Sequence, residues 1–305
     1  MSKSHTNMPM VGIFMPAYNQ GAFIDETIES LKKQTFQDFV VHIVDDGSDD
    51  GMTPKKLRSI KYEKAEVFLN NDNKGVVFRA MQHYKLLKTK YVLVLCGDDK
   101  IAPTFLEKTV DFLEKNPKYG AVSTNMYYYM DSFEGEPFST FHFDEKKMGL
   151  PAMLSECHCL GSALMRNKTL QEIDLSGGFK RYQDWDRWIS MLEAGWEIGL
   201  VAEPLFMYRL HDKSLSHSST AKIETETFHK IITKHKELYQ KYSVDVMEAL
   251  FSKFQESGFF NKNLSRQYVE LEKQNQKLID QINKPLLRRI VKKVKTILKI
   301  TKNVL

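Results

Sequence analysis

The sequence predicts an α/β protein, a mostly parallel sheet flanked by helices with a helical extension at its C-terminal end, and three observations carry that expectation. First, Tyr91 to Cys96 is an unbroken apolar run that stops at Gly97, Asp98 and Asp99. Without polar alternation it reads as a strand buried on both faces, as in a sheet covered by helices on either side. Second, an apolar run at Val11–Met15, a helical stripe of Ile24, Ile28 and Leu31, and a second run at Phe39–Val44 follow one another. Together they occupy about thirty-five residues, the length of one βαβ unit, whose strands are parallel and whose crossover is right-handed. Third, the runs end in polar turns: Pro16–Asn19, Asp45–Ser48, and Asp98 with Asp99. Parallel strands bring these ends to one edge, where open α/β sheets bind their ligands.

The remaining elements follow in order. Glu66–Leu69 reads as a third strand and Val77, Met81, Tyr84 and Leu87 as one stripe of a helix leading into the Tyr91 strand. Pro103–Lys115 is a helix ended by Asn116-Pro117, and Tyr119–Tyr129 returns as a strand. Residues 131–157 lose periodicity and read as a long loop over the site, or equally as a surface insert. Gly161–Met165 is compatible with a core strand. In Gly177–Trp196, Ile189, Leu192 and Trp196 share a helical face, with Asp184 and Asp186 before the helix or in its first turn, where acids suit the helix dipole. Ile198–Val201 is a further strand.

Composition narrows the function classes. The chain has 305 residues, 42% hydrophobic and 27% charged, enough for a sizeable core and one large domain with an appendage. No apolar run approaches the roughly twenty residues of a bilayer span, and no leader opens the chain, so a cytoplasmic location is expected. Three cysteines, Cys96, Cys157 and Cys159, suit free thiols in a reducing compartment. Cys157-His158-Cys159 lacks a second ligand pair at zinc spacing. The net charge of +5 is a property of the tail: residues 286–305 hold seven Lys and Arg and no acid, leaving 37 basic against 39 acidic residues before them. That distribution argues against a nucleic-acid-binding catalytic domain.

Asp98 and Asp99 are the candidate chemistry. Side chains alternate at a strand end, so one carboxylate could hold a metal and the other a ligand hydroxyl. Turn formation and capping of the following helix is the plainer alternative.

PAYN after the first strand, then QTFQDF, VDDGSDD and GDD, in that order and spacing, resemble the family 2 glycosyltransferases of GT-A fold through most of residues 10–215. The resemblance implies a nucleotide-sugar donor, a UDP-sugar above others. Backbone around Pro16, Ala17 and Tyr18 and the carboxylate of Asp46 would lie against the base, with Asp98 near the ribose. It implies Asp99 on a divalent cation, Mn2+ or Mg2+, a hard ion suited to carboxylate and phosphate oxygens. Cys96 stands where many members carry the first acid of an Asp-x-Asp triplet. Gly161–Met165 is similar to the segment lining the donor sugar. Gln183-Asp184-Trp185 resembles the Glu-Asp-Trp signature whose Asp is the catalytic base, which implies that role for Asp184. His211, in EPLFMYRLHDKSLS, matches the histidine that completes the metal and diphosphate site.

The expected organisation is a catalytic domain at 1–219, a helical extension at 220–258, a short coiled coil at 259–284 and a basic amphipathic helix at 285–305. Leu264, Tyr268, Leu271, Asn275, Leu278 and Ile282 follow a and d spacing, which fits either a homodimeric coiled coil or a single docked helix. In the final segment Ile290, Val294, Ile297 and Leu298 oppose Lys292, Lys295, Lys299 and Lys302, as on a helix lying on anionic lipid. The functional expectation is metal-dependent inverting sugar transfer to a glycan or lipid-linked glycan acceptor at the inner face of the membrane, without nucleic acid. A membrane-associated scaffold with a decayed site and a nucleotidyltransferase are the rival readings. The latter lacks a basic Gly-rich loop in PAYNQGAF.

Overall fold

The structure is a computed structural model that describes residues 8–130, 137–176, 178–179, 181–211, 220–256, 269, 270 and 273. The heptads of 259–284 and the basic segment 285–305 lie outside the described residues, apart from those last three positions. The chain divides into two compact units, Met1–Val246 and Met247–Leu305.

Among the described residues the first unit holds a nine-stranded sheet. Its strands are β1 (Val11–Ala17), β2 (Phe39–Asp45), β3 (Ala65–Leu69), β4 (Tyr91–Val94), β5 (Lys100–Ile101), β6 (Tyr119–Tyr129), β7 (Pro137–Phe141), β8 (Leu164–Arg166) and β9 (Glu197–Arg209). They run in the order β3-β2-β1-β4-β8-β6-β9-β5, with β7 added to β6. β1, β2, β3 and β4 pair in parallel, and β6 and β9 pair in parallel. β8 lies antiparallel between β4 and β6, so all six of those longer strands point the same way. Among the described residues they are accompanied by the helices α1 (Ile24–Lys32), α2 (Thr53–Ser59), α3 (Val76–Leu86), α4 (Phe105–Lys115), α5 (Ala152–Ser155), α6 (Asn167–Glu172), α7 (Gln183–Glu193), α8 (Ala221–Lys234) and α9 (Lys236–Lys241). Residues 243–256 are also largely helical.

The apolar runs become the core. Val11, Ile13, Met15, Val41, Ile43, Leu93 and Leu95 are buried with Ile24, Ile28 and Leu31 of α1 and Phe105, Leu106, Val110 and Leu113 of α4. Full burial of one such side chain contributes about 2 kcal/mol. Gln34, from QTF, knits this layer: its amide nitrogen donates to Ser30 O and Ala102 O, and its Oε1 accepts from Leu106 N. On α3, His83 Nδ1 lies 3.1 Å from His42 Nδ1, so one ring donates and the other accepts. Burial holds both imidazoles below their usual range, His83 down to about 4.

Two segments differ from the sequence expectation. Residues 137–157 are not a loop throughout: β7 pairs with β6, and α5 follows. Every β7 residue is exposed, so PFSTF carries no alternation of buried and solvated positions. β9 continues past Val201 to Arg209, through Glu203-Pro204, which interrupt its apolar pattern. Register shifts in β6 around Asn125 absorb the proline, and buried Asn125 donates to Ala202 O and accepts from Phe143 N. This longer strand carries Arg209 and His211 to the edge where β4 ends.

Candidate active site

The first wall is built from the turns after β1 and β2. Asp46 N donates to Ala17 O, and Gly97 N to Pro16 O, so the three strand ends are bonded to one another. Asn19, at φ 56°, donates through Nδ2 to Asp49 Oδ1 and accepts the amides of Asp49 and Asp50 on Oδ1. Asp45 Oδ1 accepts from the Ser48 amide and hydroxyl. Asp46, 5% exposed, accepts from the amides of Lys74 and Gly75 and from Arg79 Nε at 2.8 Å. Gly47, at φ 73°, lies against this turn: a Cβ there would come within 2.5 Å of the Asp72 carbonyl carbon. Asp46 thus fastens the Asp72–Gly75 turn, and breaking its buried pair with Arg79 costs about 3–5 kcal/mol. Tyr18 stands 43% exposed beside it.

The second wall is the Gly97-Asp98-Asp99 turn. Thr27 Oγ1 on α1 donates to Gly97 O and Asp99 O. Arg209 holds the turn from the end of β9. Its amide donates to Asp99 Oδ1 at 3.0 Å and its Nε to Asp98 O at 2.9 Å. The guanidinium pairs with Glu26 at 2.8 Å and lies 4.6 Å from the Phe23 and Tyr129 ring centres. The Tyr129 hydroxyl donates to Asp98 O. His211 Nε2 then lies 3.1 Å from Asp98 Oδ2, its ring 4.7 Å from that of Phe23.

Asp184 forms the third wall. It sits in the first turn of α7, after Tyr182 in the left-handed conformation at φ 54°. Asp184 Oδ1 accepts from the Trp185 amide, and a Cβ on Gly161 would meet Asp184 Oδ2 at 2.7 Å. The glycine leaves the space this carboxylate occupies. Arg187, one turn on and 6% exposed, donates to Gly161 O at 2.8 Å, so Asp184 and Arg187 bracket the same peptide.

The electrostatics bind these walls together. Burial, reinforced by the charges of Asp98, Asp99 and Asp184, pushes the Cys96 thiol well above its usual range, so it stays protonated. Burial and the neighbouring Asp98 push the Asp99 carboxyl well above the usual carboxylate range. The Cys159 thiol is pushed up by burial to about 12, and Cys157 donates to Cys159 O. Among the described residues, Cys96, Asp98 and Asp99 form the one group of three ligand-type side chains whose atoms lie within 4.8 Å of one another. A protonated thiol is a poor donor to a hard cation, whereas carboxylates and imidazole suit one. Asp98 and Asp99 supply carboxylate oxygens of that kind at this turn, with the His211 imidazole against Asp98.

The structure thus brings Pro16, Ala17, Asp46, Asp98, Asp99 and His211 to one edge and Asp184 within electrostatic range of Cys96. It pairs His211 with Asp98, whereas the resemblance grouped His211 with Asp99, whose Oδ1 faces the Arg209 amide. Asp46 faces the protein's own amides and Arg79. The sequence reading passed over Arg79, Arg187 and Arg209, because a lone arginine in a mixed stretch reads as solvated surface. For Arg209 the signal was its place two residues before His211.

Residues 12–182 match the family described as Glycosyl transferase family 2. The chain belongs to glycosyl transferase family 2. The matched stretch holds the β1, β2 and β4 turns and ends just before Gln183, so Asp184 and His211 lie outside it. Among relatives, TuaG of Bacillus subtilis (strain 168), named for teichuronic acid biosynthesis, is 28% identical over 212 residues, covering 68% of this chain and 82% of its own. The UDP-Glc:alpha-D-GlcNAc-diphosphoundecaprenol beta-1,3-glucosyltransferase WfaP of Escherichia coli is 26% identical over 209 residues, covering 68% of this chain and 80% of its own. Crystal structures of S. aureus TarS with UDP-GlcNAc and with UDP superpose with TM-scores of 0.57 and 0.56 at 18% identity. They cover 77% and 73% of this chain and 73% and 64% of those chains, a likeness of fold. The sheet of mostly parallel strands is that of the GT-A glycosyltransferases, and the chain is a glycosyltransferase.

Proposed function

We propose that this family 2 enzyme transfers a sugar from a UDP-sugar to an acceptor hydroxyl with inversion and depends on a divalent cation. The observation that carries the reading is the placing of Asp184, over the Gly161 peptide, next to the turn that holds Asp98 and Asp99. The acceptor oxygen attacks the anomeric carbon as Asp184 takes its proton, and the bond to the diphosphate breaks on the opposite face. Such general-base help is worth about a hundred- to ten-thousand-fold. Asp98 and His211, with Asp99 behind them, are the residues that would hold Mn2+ or Mg2+. Bound there, the ion would offset negative charge on the leaving diphosphate. Arg209 fixes the turn that presents Asp98, and Asp46 with Arg79 shapes the turn beside Pro16–Tyr18, where the base would rest. Asp98 could also meet the ribose.

The relatives' names support an acceptor in surface polysaccharide assembly, including a glycan on a lipid diphosphate, as in the name of WfaP. No helix among the described residues is long and apolar enough to cross a membrane. We assign membrane contact to the basic segment 286–305, at about 1 kcal/mol per Lys or Arg near an anionic leaflet plus burial of its apolar face. Truncation after Lys284 is expected to abolish sedimentation with anionic vesicles while leaving sugar transfer to a soluble acceptor intact. Vesicle binding that survives truncation removes the segment from this role. For the donor, a thermal-shift screen of nucleotide sugars with Mn2+ tests the reading. A UDP-sugar that binds the native state raises Tm, by mass action about 2.7 kcal/mol of stability at a hundredfold excess over Kd. No shift with any UDP-sugar contradicts it.

A further inference from the structure

α8, α9 and His235 between them lie beyond the residues matched to the family, yet they hold Trp185 and Asp186, the two residues that follow Asp184. Asp186 is 2% exposed: its Oδ2 accepts from Lys234 Nζ at 2.7 Å and its Oδ1 lies 2.9 Å from His235 Nε2. His235, also 2% exposed, places Nδ1 2.9 Å from Glu193 Oε2. One imidazole therefore ties the first turn of α7 to its last. On the other side, the Trp185 ring stacks on Phe228 of α8 at 5.6 Å, and its Nε1 donates to Met153 O at 2.6 Å. The Tyr239 hydroxyl of α9 donates to Leu154 O, on the same short helix as Met153.

Among the described residues Asp184 accepts its hydrogen bond from the adjacent Trp185 amide, and α7 begins from a non-glycine residue at positive φ with no side-chain cap. Such a backbone costs of order 1–3 kcal/mol and persists when its surroundings over-determine it. A buried carboxylate held by a lysine and a histidine is a poor source of net stability compared with apolar packing. It does fix direction, because each oxygen of Asp186 has its own partner.

We propose that Asp186 and His235 are positioning residues that set the first turn of α7 so that the Asp184 carboxylate faces the acceptor. The inference rests on Asp184 as the base. Displacing a reacting group by about 1 Å costs on the order of a hundredfold in rate.

The test uses the full chain with Asp186→Asn and His235→Gln, each alone and combined with Asp184→Asn. kcat, donor KM and the urea midpoint are read for every variant. Each single variant is expected to lose about tenfold to a hundredfold in kcat with donor KM within twofold. On the Asp184→Asn background each should cause no further loss, because the group it positions no longer acts. A merely structural role lowers turnover by the same factor on both backgrounds, and that result overturns the proposal. So does wild-type kcat in a folded His235→Gln protein, which decides the matter should Asp186→Asn fail to fold. Failure of the base assignment is distinguishable, since it appears as high turnover in Asp184→Asn alone.

Discussion

Asp184→Asn is expected to lower kcat by about a hundred- to ten-thousand-fold while leaving UDP affinity within about twofold of wild type. The amide matches the carboxylate in size and can still accept the Trp185 amide on Oδ1, so α7 keeps its first turn. What it loses is the capacity to take a proton from the acceptor hydroxyl. In the proposed arrangement the diphosphate rests on the Asp98 turn and not on Asp184, so UDP binding is expected to be unchanged. Gly161→Ala should reproduce part of the loss without altering any charge, because the new Cβ would come within 2.7 Å of Asp184 Oδ2. Steady-state kinetics paired with calorimetric UDP binding checks both variants. Wild-type turnover in Asp184→Asn removes the residue from the role.

The second large effect concerns the cation. Transfer is expected to stop in EDTA and return with Mn2+ or Mg2+, and Asp98→Ala should stay inactive in excess metal. His211→Ala should weaken metal affinity by about ten- to a hundredfold, the scale seen when one group around a metal is lost. Asp99→Asn should be milder than Asp98→Ala. Its amide oxygen can still accept the Arg209 amide, so the turn that presents Asp98 is kept. Titrating activity against metal for the four proteins ranks them. An Asp99→Asn loss exceeding that of Asp98→Ala would reverse the assignment of the two acids, and EDTA-resistant transfer would remove the metal from the account.

The sheet was legible where strands are buried on both faces. Tyr91–Val94 and Phe39–Asp45 are nearly continuous apolar runs, and their turns carry the polar residues of the site. β7 was illegible because an exposed strand shows no alternation, and the length of β9 was hidden by Glu203-Pro204. In the site, alternation at the end of β4 said that Asp98 and Asp99 aim differently, but not which one meets His211. That choice is made by the Arg209 amide, 110 residues away in sequence. The charges that shape the walls escaped notice for a related reason. Arg79, Arg187 and Arg209 are buried by partners that no local pattern reveals, and Asp186, legible as a helix-dipole acid, is held by Lys234 and His235 far along the chain.

The central claim, sugar transfer from a nucleotide diphosphate donor with Asp184 as the base, is tested most directly by identifying the phosphate product. The wild-type chain would be incubated with UDP-sugars and Mn2+, with and without a glycan acceptor, and its products compared with those of Asp184→Asn. The expected result is UDP release by the wild type, stimulated by acceptor and collapsed in the variant. Pyrophosphate release would instead mark a nucleotidyltransferase, and release of neither across the donor panel would mark a binding scaffold; either result contradicts the account.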